Sequence, residues 1–108
     1  MYKRQLYYSA IKKIDGVDEY LKQRTIPDAT FRNWNSYSSK VQFEKGVNVM
    51  EAFNLLPDPQ TNGGLLIALA ENGTDKMKEI FKANDLEAFT IPIGTFQSKE
   101  EKLIIVKN

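Results

Sequence analysis

One stretch limits this chain more than any other: Leu56-Pro57-Asp58-Pro59-Gln60-Thr61-Asn62-Gly63-Gly64, running directly into six apolar residues, 65–70. Two prolines fix φ and remove backbone donors, so residues 57–59 are excluded from a helix interior or a central ladder. Gln60 and Thr61 offer side-chain hydrogen bonds, and Gly63-Gly64 permits positive φ or close approach of the main chain to another group. The apolar run Leu65-Leu66-Ile67-Ala68-Leu69-Ala70 has the length of a strand buried on both faces. On residue chemistry alone the loop reads two ways. Asn62-Gly63 is a strong hairpin signal, and clustered glycines also expose N–H groups that cradle phosphates. No Lys follows Gly64 and no G-x-G-x-x-G is present, so neither standard nucleotide loop is written here.

Charge and composition narrow the function classes. Fifteen basic and fourteen acidic residues give a net charge of +1, too little to steer the chain to nucleic acid or an anionic membrane. The absence of cysteine removes disulfides, thiol nucleophiles and thiolate metal sites, and the absence of histidine removes the usual imidazole base and ligand. No run approaches the roughly 18 apolar residues of a membrane span, and no h-region follows Lys3 and Arg4. These features fit a cytoplasmic protein with no nucleic-acid or membrane partner. At 108 residues one core is the expectation, burying about 65 per cent of the unfolded surface.

Along the chain, residues 6–11 read as a strand in which Tyr7 and Tyr8 face opposite sides. Asp15 is placed to cap a helix over 16–23, with Asp18 and Glu19 at the dipole's positive end and Val17, Tyr20 and Leu21 on one face. That acidic group is the ordinary helix-start signal rather than a metal site. Pro27 breaks the chain, and Thr30 opens a second helical piece whose spacing directs Phe31, Trp34 and either Tyr37 or Ser38 inward. Residues 40–43 suggest a short strand and Glu44-Lys45-Gly46 a turn. Asn48 and Glu51 have capping-box spacing for a helix over 49–54 that carries Val49, Ala52 and Phe53 to the core. A helix over 75–84 follows, its stripe of Met77, Ile80 and Phe81 read as core, and Asn84-Asp85 ends it. Alternation of Phe89, Ile91 and Ile93 predicts an edge strand containing Pro92. Residues 97–101 predict a charged turn, and residues 103–106 a last strand. The pattern is one small α/β domain without repeats or linkers.

Three ordered blocks carry a family resemblance. Asp58-Pro59-Gln60-Thr61-Asn62-Gly63-Gly64-Leu65-Leu66 resembles the D-P-Q-T-S-G-G-L-L signature in the C-terminal part of selenophosphate synthetase, also called selenide, water dikinase. Ala10-Ile11 with Gly16-Val17-Asp18-Glu19-Tyr20-Leu21 is similar to that family's A-I-P-x-x-P-G-V-E-E-Y stretch, and Arg32-Asn33 with Ser36-Tyr37 resembles its R-N-x-x-S-Y-G. Ile93-Gly94 stands where the family has an I-G pair. Asn62 replaces the usual Ser, Ser38 stands in place of a Gly, and Lys13-Ile14-Asp15 lacks the expected proline. The resemblance covers residues 6–108 as a single C-terminal synthetase-like domain, leaving residues 1–5 outside it as a possible non-native leader.

The resemblance implies a mixed β-sheet with packed helices, the α/β arrangement of the C-terminal domain of aminoimidazole ribonucleotide synthetases. It implies a part of an enzyme that makes selenophosphate from selenide and ATP with Mg, while the family's reactive Cys or selenocysteine, its Lys, its Mg-binding aspartates and its T-D-V-T-G-F-G segment have no counterpart here. The expectation is therefore a chain with no catalytic or metal residues and no nucleotide or Mg of its own. It would close the cleft over an N-terminal ATP-binding domain, with a homodimer as the further expectation for the full-length enzyme. Asp58, Gln60, Thr61, Gly63, Gly64, Arg32 and Asn33 are the cleft-facing candidates. A stand-alone binding or assembly module of the same fold, and another ATP-dependent synthetase of the superfamily, are the alternatives.

Overall fold

The computed structural model describes residues 3–98 and 101–108. Met1 and Tyr2 of the expected leader, and Lys99 and Glu100 of the expected charged turn, lie outside the described residues. The chain divides into two compact units, one holding Met1–Gln60 and Ile93–Asn108, the other Thr61–Pro92.

The larger unit is built on a four-stranded mixed sheet of order β2-β4-β1-β3, with β1 at Lys3–Tyr7, β2 at Val41–Phe43, β3 at Gly94–Gln97 and β4 at Ile104–Lys107. β1 runs antiparallel to β3 and parallel to β4, and β2 runs parallel to β4. This is the α/β mixed sheet expected from the sequence. The first strand is displaced from its expected position. Lys3 pairs with β3, and Arg4 and Gln5 form ladder pairs on both sides of β1, whereas residues 8–10, expected as strand, coil into a 3₁₀ turn. Tyr8 is buried from that turn, not from the strand.

β4 is the strand that fixes the core, because it lies between two neighbours and its Ile105 and Val106 are buried. Tyr8, Val47, Ala52 and Val106 make one cluster, with Val41, Phe43, Leu55 and Ile104 packed against it. Among the described residues three α-helices belong to this unit: α1 at Val17–Lys22, α2 at Asp28–Tyr37 and α3 at Val49–Leu55. α1 is not capped by Asp15 as expected. Gly16 occupies the cap position at φ 84° with no side-chain bond, a left-handed conformation that favours glycine. α3 begins as the spacing predicts, Asn48 Oδ1 accepting from the Glu51 N–H at 3.3 Å. Ala52 is fully buried, but Val49 stays exposed. α2 delivers Trp34 to the aromatic pair Phe53 and Phe43, at ring separations of 5.1 and 5.6 Å. Phe31 also meets Phe53, at 5.8 Å.

Gly94 explains why β1 and β3 approach so closely. A Cβ at this position would stand 2.2 Å from the Gln5 carbonyl oxygen, so only glycine fits opposite Leu6.

In the unit Thr61–Pro92, the sequence expectation fails at its centre. Residues 65–70 form neither strand nor helix, and Leu65 and Leu66 are 90% and 82% exposed. Apolar character records that such a run is meant for burial; it does not say what will bury it. A 3₁₀ turn over Glu71–Gly73 leads into α4 at Thr74–Ala83, which starts and ends as expected. Asn84 Nδ2 closes its C-terminus by donating to the Ile80 carbonyl at 2.8 Å, and Asp85 follows at φ 59°. Met77 and Phe81 are half-buried, but Ile80 is exposed, so the stripe is not a finished core. The strand expected over 89–93 is also absent. Glu87–Phe89 makes a 3₁₀ turn, with Thr90 Oγ1 donating to the Glu87 carbonyl at 2.8 Å. A local side-chain bond competes with a ladder at this position, and Pro92 lacks a donor to restore it.

Candidate functional site

The residues singled out in the sequence are distributed over both units. Asn33, on α2, donates through Nδ2 to the Pro57 carbonyl at 2.8 Å and so fastens the entrance of the proline loop to the helix. This bond gives a partner to a loop carbonyl just beyond the end of α3. Arg32, one residue earlier, is exposed. Asp58 is half-buried, its N–H donating to the Leu55 carbonyl at 3.2 Å, and Gln60 is exposed. Among the described residues, the side chains of Arg32, Asp58, Gln60 and Thr61 form no hydrogen bond or ion pair within the chain.

In the other unit, Thr61, Gly63 and Gly64 are exposed. Gly16 and Gly46 are the glycines at positive φ, so Gly63-Gly64 does not use that freedom. A Cβ on Gly64 would meet nothing within 4 Å. Exposed polar groups and an unhindered backbone are open to a partner in this arrangement, but no cradle is closed around a phosphate.

The most developed polar cluster was not anticipated from the sequence. Tyr8 donates its hydroxyl to Glu51 Oε1 at 2.8 Å, and Lys13 Nζ reaches the same oxygen at 2.7 Å and Asp18 Oδ1 at 2.9 Å. The Lys13 ammonium also lies 5.3 Å from the Tyr8 ring centre. A cleft of about 320 Å³ opens beside these groups, lined also by Ser9, Asn48 and Asn108.

Each partner drives the next towards its neutral-pH form. Burial, reinforced by the Glu51 carboxylate, pushes the Tyr8 phenol up to about 12. Hydrogen bonds from Lys13 and Tyr8 hold Glu51 below the usual carboxylate range, and those to Glu51 and Asp18 raise Lys13 above the usual lysine range. A general acid or base works best when poised near the working pH. This trio is displaced away from it on every count and acts as a clamp joining the segment after β1 to α3. Asp18, read in the sequence as a helix-start acid, belongs to this clamp. No local pattern announces it, since the Tyr8 and Glu51 positions are 43 residues apart and Lys13 and Glu51 are 38 apart. Among the described residues no group of three or more Asp, Glu, His or Cys is gathered closely enough to hold a metal ion, and no helix is long and apolar enough to cross a membrane.

Comparison with known proteins gives the scale of the match. No protein-family model matches the chain. It is 35% identical over 102 residues to the selenide, water dikinase of Haemophilus influenzae strain 86-028NP, covering 94% of this chain and 28% of that protein. It is 34% identical over 96 residues to the Pasteurella multocida selenide, water dikinase, covering 89% of this chain and 26% of that protein. Against the Escherichia coli K12 selenide, water dikinase the identity is 41% over 71 residues, 66% of this chain and 19% of the other. The chain thus spans just over a quarter of the length of the first two relatives. With nearly its whole length aligned, this chain corresponds in sequence to a portion of the selenide, water dikinases.

Proposed function

We propose that this chain serves as the C-terminal part of a selenide, water dikinase, the enzyme that makes selenophosphate from selenide and ATP. The observation that carries the reading is the alignment of 94% of the chain with 28% of such an enzyme. The chemistry agrees with a supporting role. Phosphoryl transfer needs metal-neutralised phosphates and a positioned nucleophile, and the best-formed polar cluster here is a saturated clamp. ATP and Mg belong, in this reading, to an N-terminal ATP-binding domain, which this chain closes over with Asp58, Gln60, Thr61, Gly63, Gly64, Arg32 and Asn33 facing the cleft. The chain alone is inactive, works in the cytoplasm, and joins an enzyme that is a homodimer at full length.

The test is phosphorus NMR of reactions containing ATP, Mg and selenide. The purified chain alone should form no selenophosphate. A fusion in which this chain replaces the 102 matched residues of the Haemophilus influenzae enzyme should form it. Product from the isolated chain would refute the supporting role, and an inactive fusion beside an active parent enzyme would refute the family function.

A further inference from the structure

The unit Thr61–Pro92 is unfinished as a folding unit. It holds thirty-two residues, none of them buried. Chains below roughly 40 residues rarely sustain a core without disulfides, metals or association. This unit has no cysteine to supply a disulfide. Its apolar side chains are nevertheless numerous: Leu65, Leu66, Ile67, Leu69, Ile80, Leu86, Phe89 and Ile91 are all exposed.

The backbone of residues 65–70 has the same character. Among the described residues none of its N–H groups donates a hydrogen bond, and its one engaged carbonyl is that of Ala70, which accepts from Gly73. A run with apolar side chains on both faces and free donors and acceptors along both edges needs a partner supplying hydrogen bonds and apolar cover together. Lipid provides the cover but leaves the main-chain groups unsatisfied. Nucleic acid needs cations, and residues 61–70 carry no charge. A sheet edge provides both.

We propose that residues 65–70 dock as an added β-strand on a sheet edge carried by the part of the selenide, water dikinase chain that lies ahead of the matched stretch. The proposal rests on the functional reading above. About seven-tenths of the relatives' length has no counterpart in this chain, which is ample to furnish such an edge and the layers covering it. The neighbouring proline loop suits the arrangement. Pro57 and Pro59 stiffen the approach, Asn33 anchors its first carbonyl, and Gly63-Gly64 puts no side chain in the way of an incoming backbone.

Hydrogen exchange resolved by residue tests this in the isolated chain and in the fusion with the Haemophilus influenzae enzyme. Amides 65–70 should exchange rapidly in the isolated chain and on the order of 100-fold more slowly in the fusion. Ile67→Pro, which removes a ladder donor while keeping an apolar residue, should abolish that protection in the fusion and leave the isolated chain's circular dichroism unchanged. Equal exchange in both proteins would overturn the proposal. Protection in the isolated chain that grows with its concentration would also overturn it, because the occupant would then be a second copy. So would an insoluble fusion beside a soluble parent enzyme. If the fusion makes selenophosphate while amides 65–70 remain unprotected, the docking fails and the functional reading stands. Protection without product would uphold the docking and remove the function.

Discussion

Replacing Gly94 by alanine puts one methyl group where two backbones meet. The added Cβ would lie 2.2 Å from the Gln5 carbonyl oxygen, 3.3 Å from the Gln5 carbonyl carbon and 3.4 Å from the Leu6 Cα, all main-chain atoms that cannot rotate away. An ordinary carbon–oxygen contact is about 3.3 Å, so β1 and β3 must part by about 1 Å at this point. The Tyr7 N–H to Ile93 carbonyl bond, now 2.8 Å, then stretches to about 3.8 Å and ceases to be a hydrogen bond. Losing one or two such bonds at about 1 kcal/mol each, with about 1–3 kcal/mol of overpacking strain, gives a destabilisation of about 2–5 kcal/mol. At about 4 °C per kcal/mol for a chain of this size, thermal unfolding followed by circular dichroism should show Tm lower by about 8–20 °C. Gly64→Ala is the control. Its Cβ meets nothing within 4 Å, so its Tm should match the parent's. A Gly94→Ala protein melting within about 2 °C of the parent would refute the close-approach argument.

Leu66→Asp in the isolated chain should change stability by no more than about 0.5 kcal/mol, because Leu66 is 82% exposed; denaturant unfolding reads this directly. Asn33→Ala should cost about 1 kcal/mol and speed amide exchange at Asp58 and Gln60, since the bond holding the Pro57 carbonyl is removed. The clamp has opposite pH limits. Glu51 is depressed, so its contribution is present above the ordinary value of 4.5 and is lost as pH falls through its lower folded value. Tyr8 is raised, so its contribution is full below its ordinary value of 10.0 and is lost as pH climbs towards about 12, with Lys13, also raised, acting in the same alkaline direction. Stability measured against pH should therefore have a plateau between these limits, and Glu51→Gln should weaken the loss on both sides.

What was legible in the sequence was what local chemistry decides. Asn48 and Glu51 mark the start of α3, Asn84 and Asp85 the end of α4, and the apolar residues up to Val106 mark β4. The errors arise where a distant partner decides. Residues 65–70 carry a buried strand's composition, but nothing within the described residues covers them, and they stand exposed. Lys3, Arg4 and Gln5 fell outside the resemblance, yet pairing with β3 and β4 puts them in the sheet. Phe89, Ile91 and Ile93 alternate as a strand does, but the Thr90 hydroxyl closes a 3₁₀ turn instead. Among the candidate site residues, Asn33 was legible as part of a motif, though its role against Pro57 was not. The Tyr8, Lys13 and Glu51 clamp exists only once the chain is folded.

The central proposal is that this chain lends surface and shape to a dikinase whose nucleotide chemistry is held elsewhere. Isothermal titration of the isolated chain with Mg-ATP tests it most directly. The account predicts no saturable heat up to about 1 mM nucleotide, a bound of about 4 kcal/mol on any affinity. A one-to-one isotherm with a micromolar Kd would contradict it, because the chain would then carry a nucleotide site of its own.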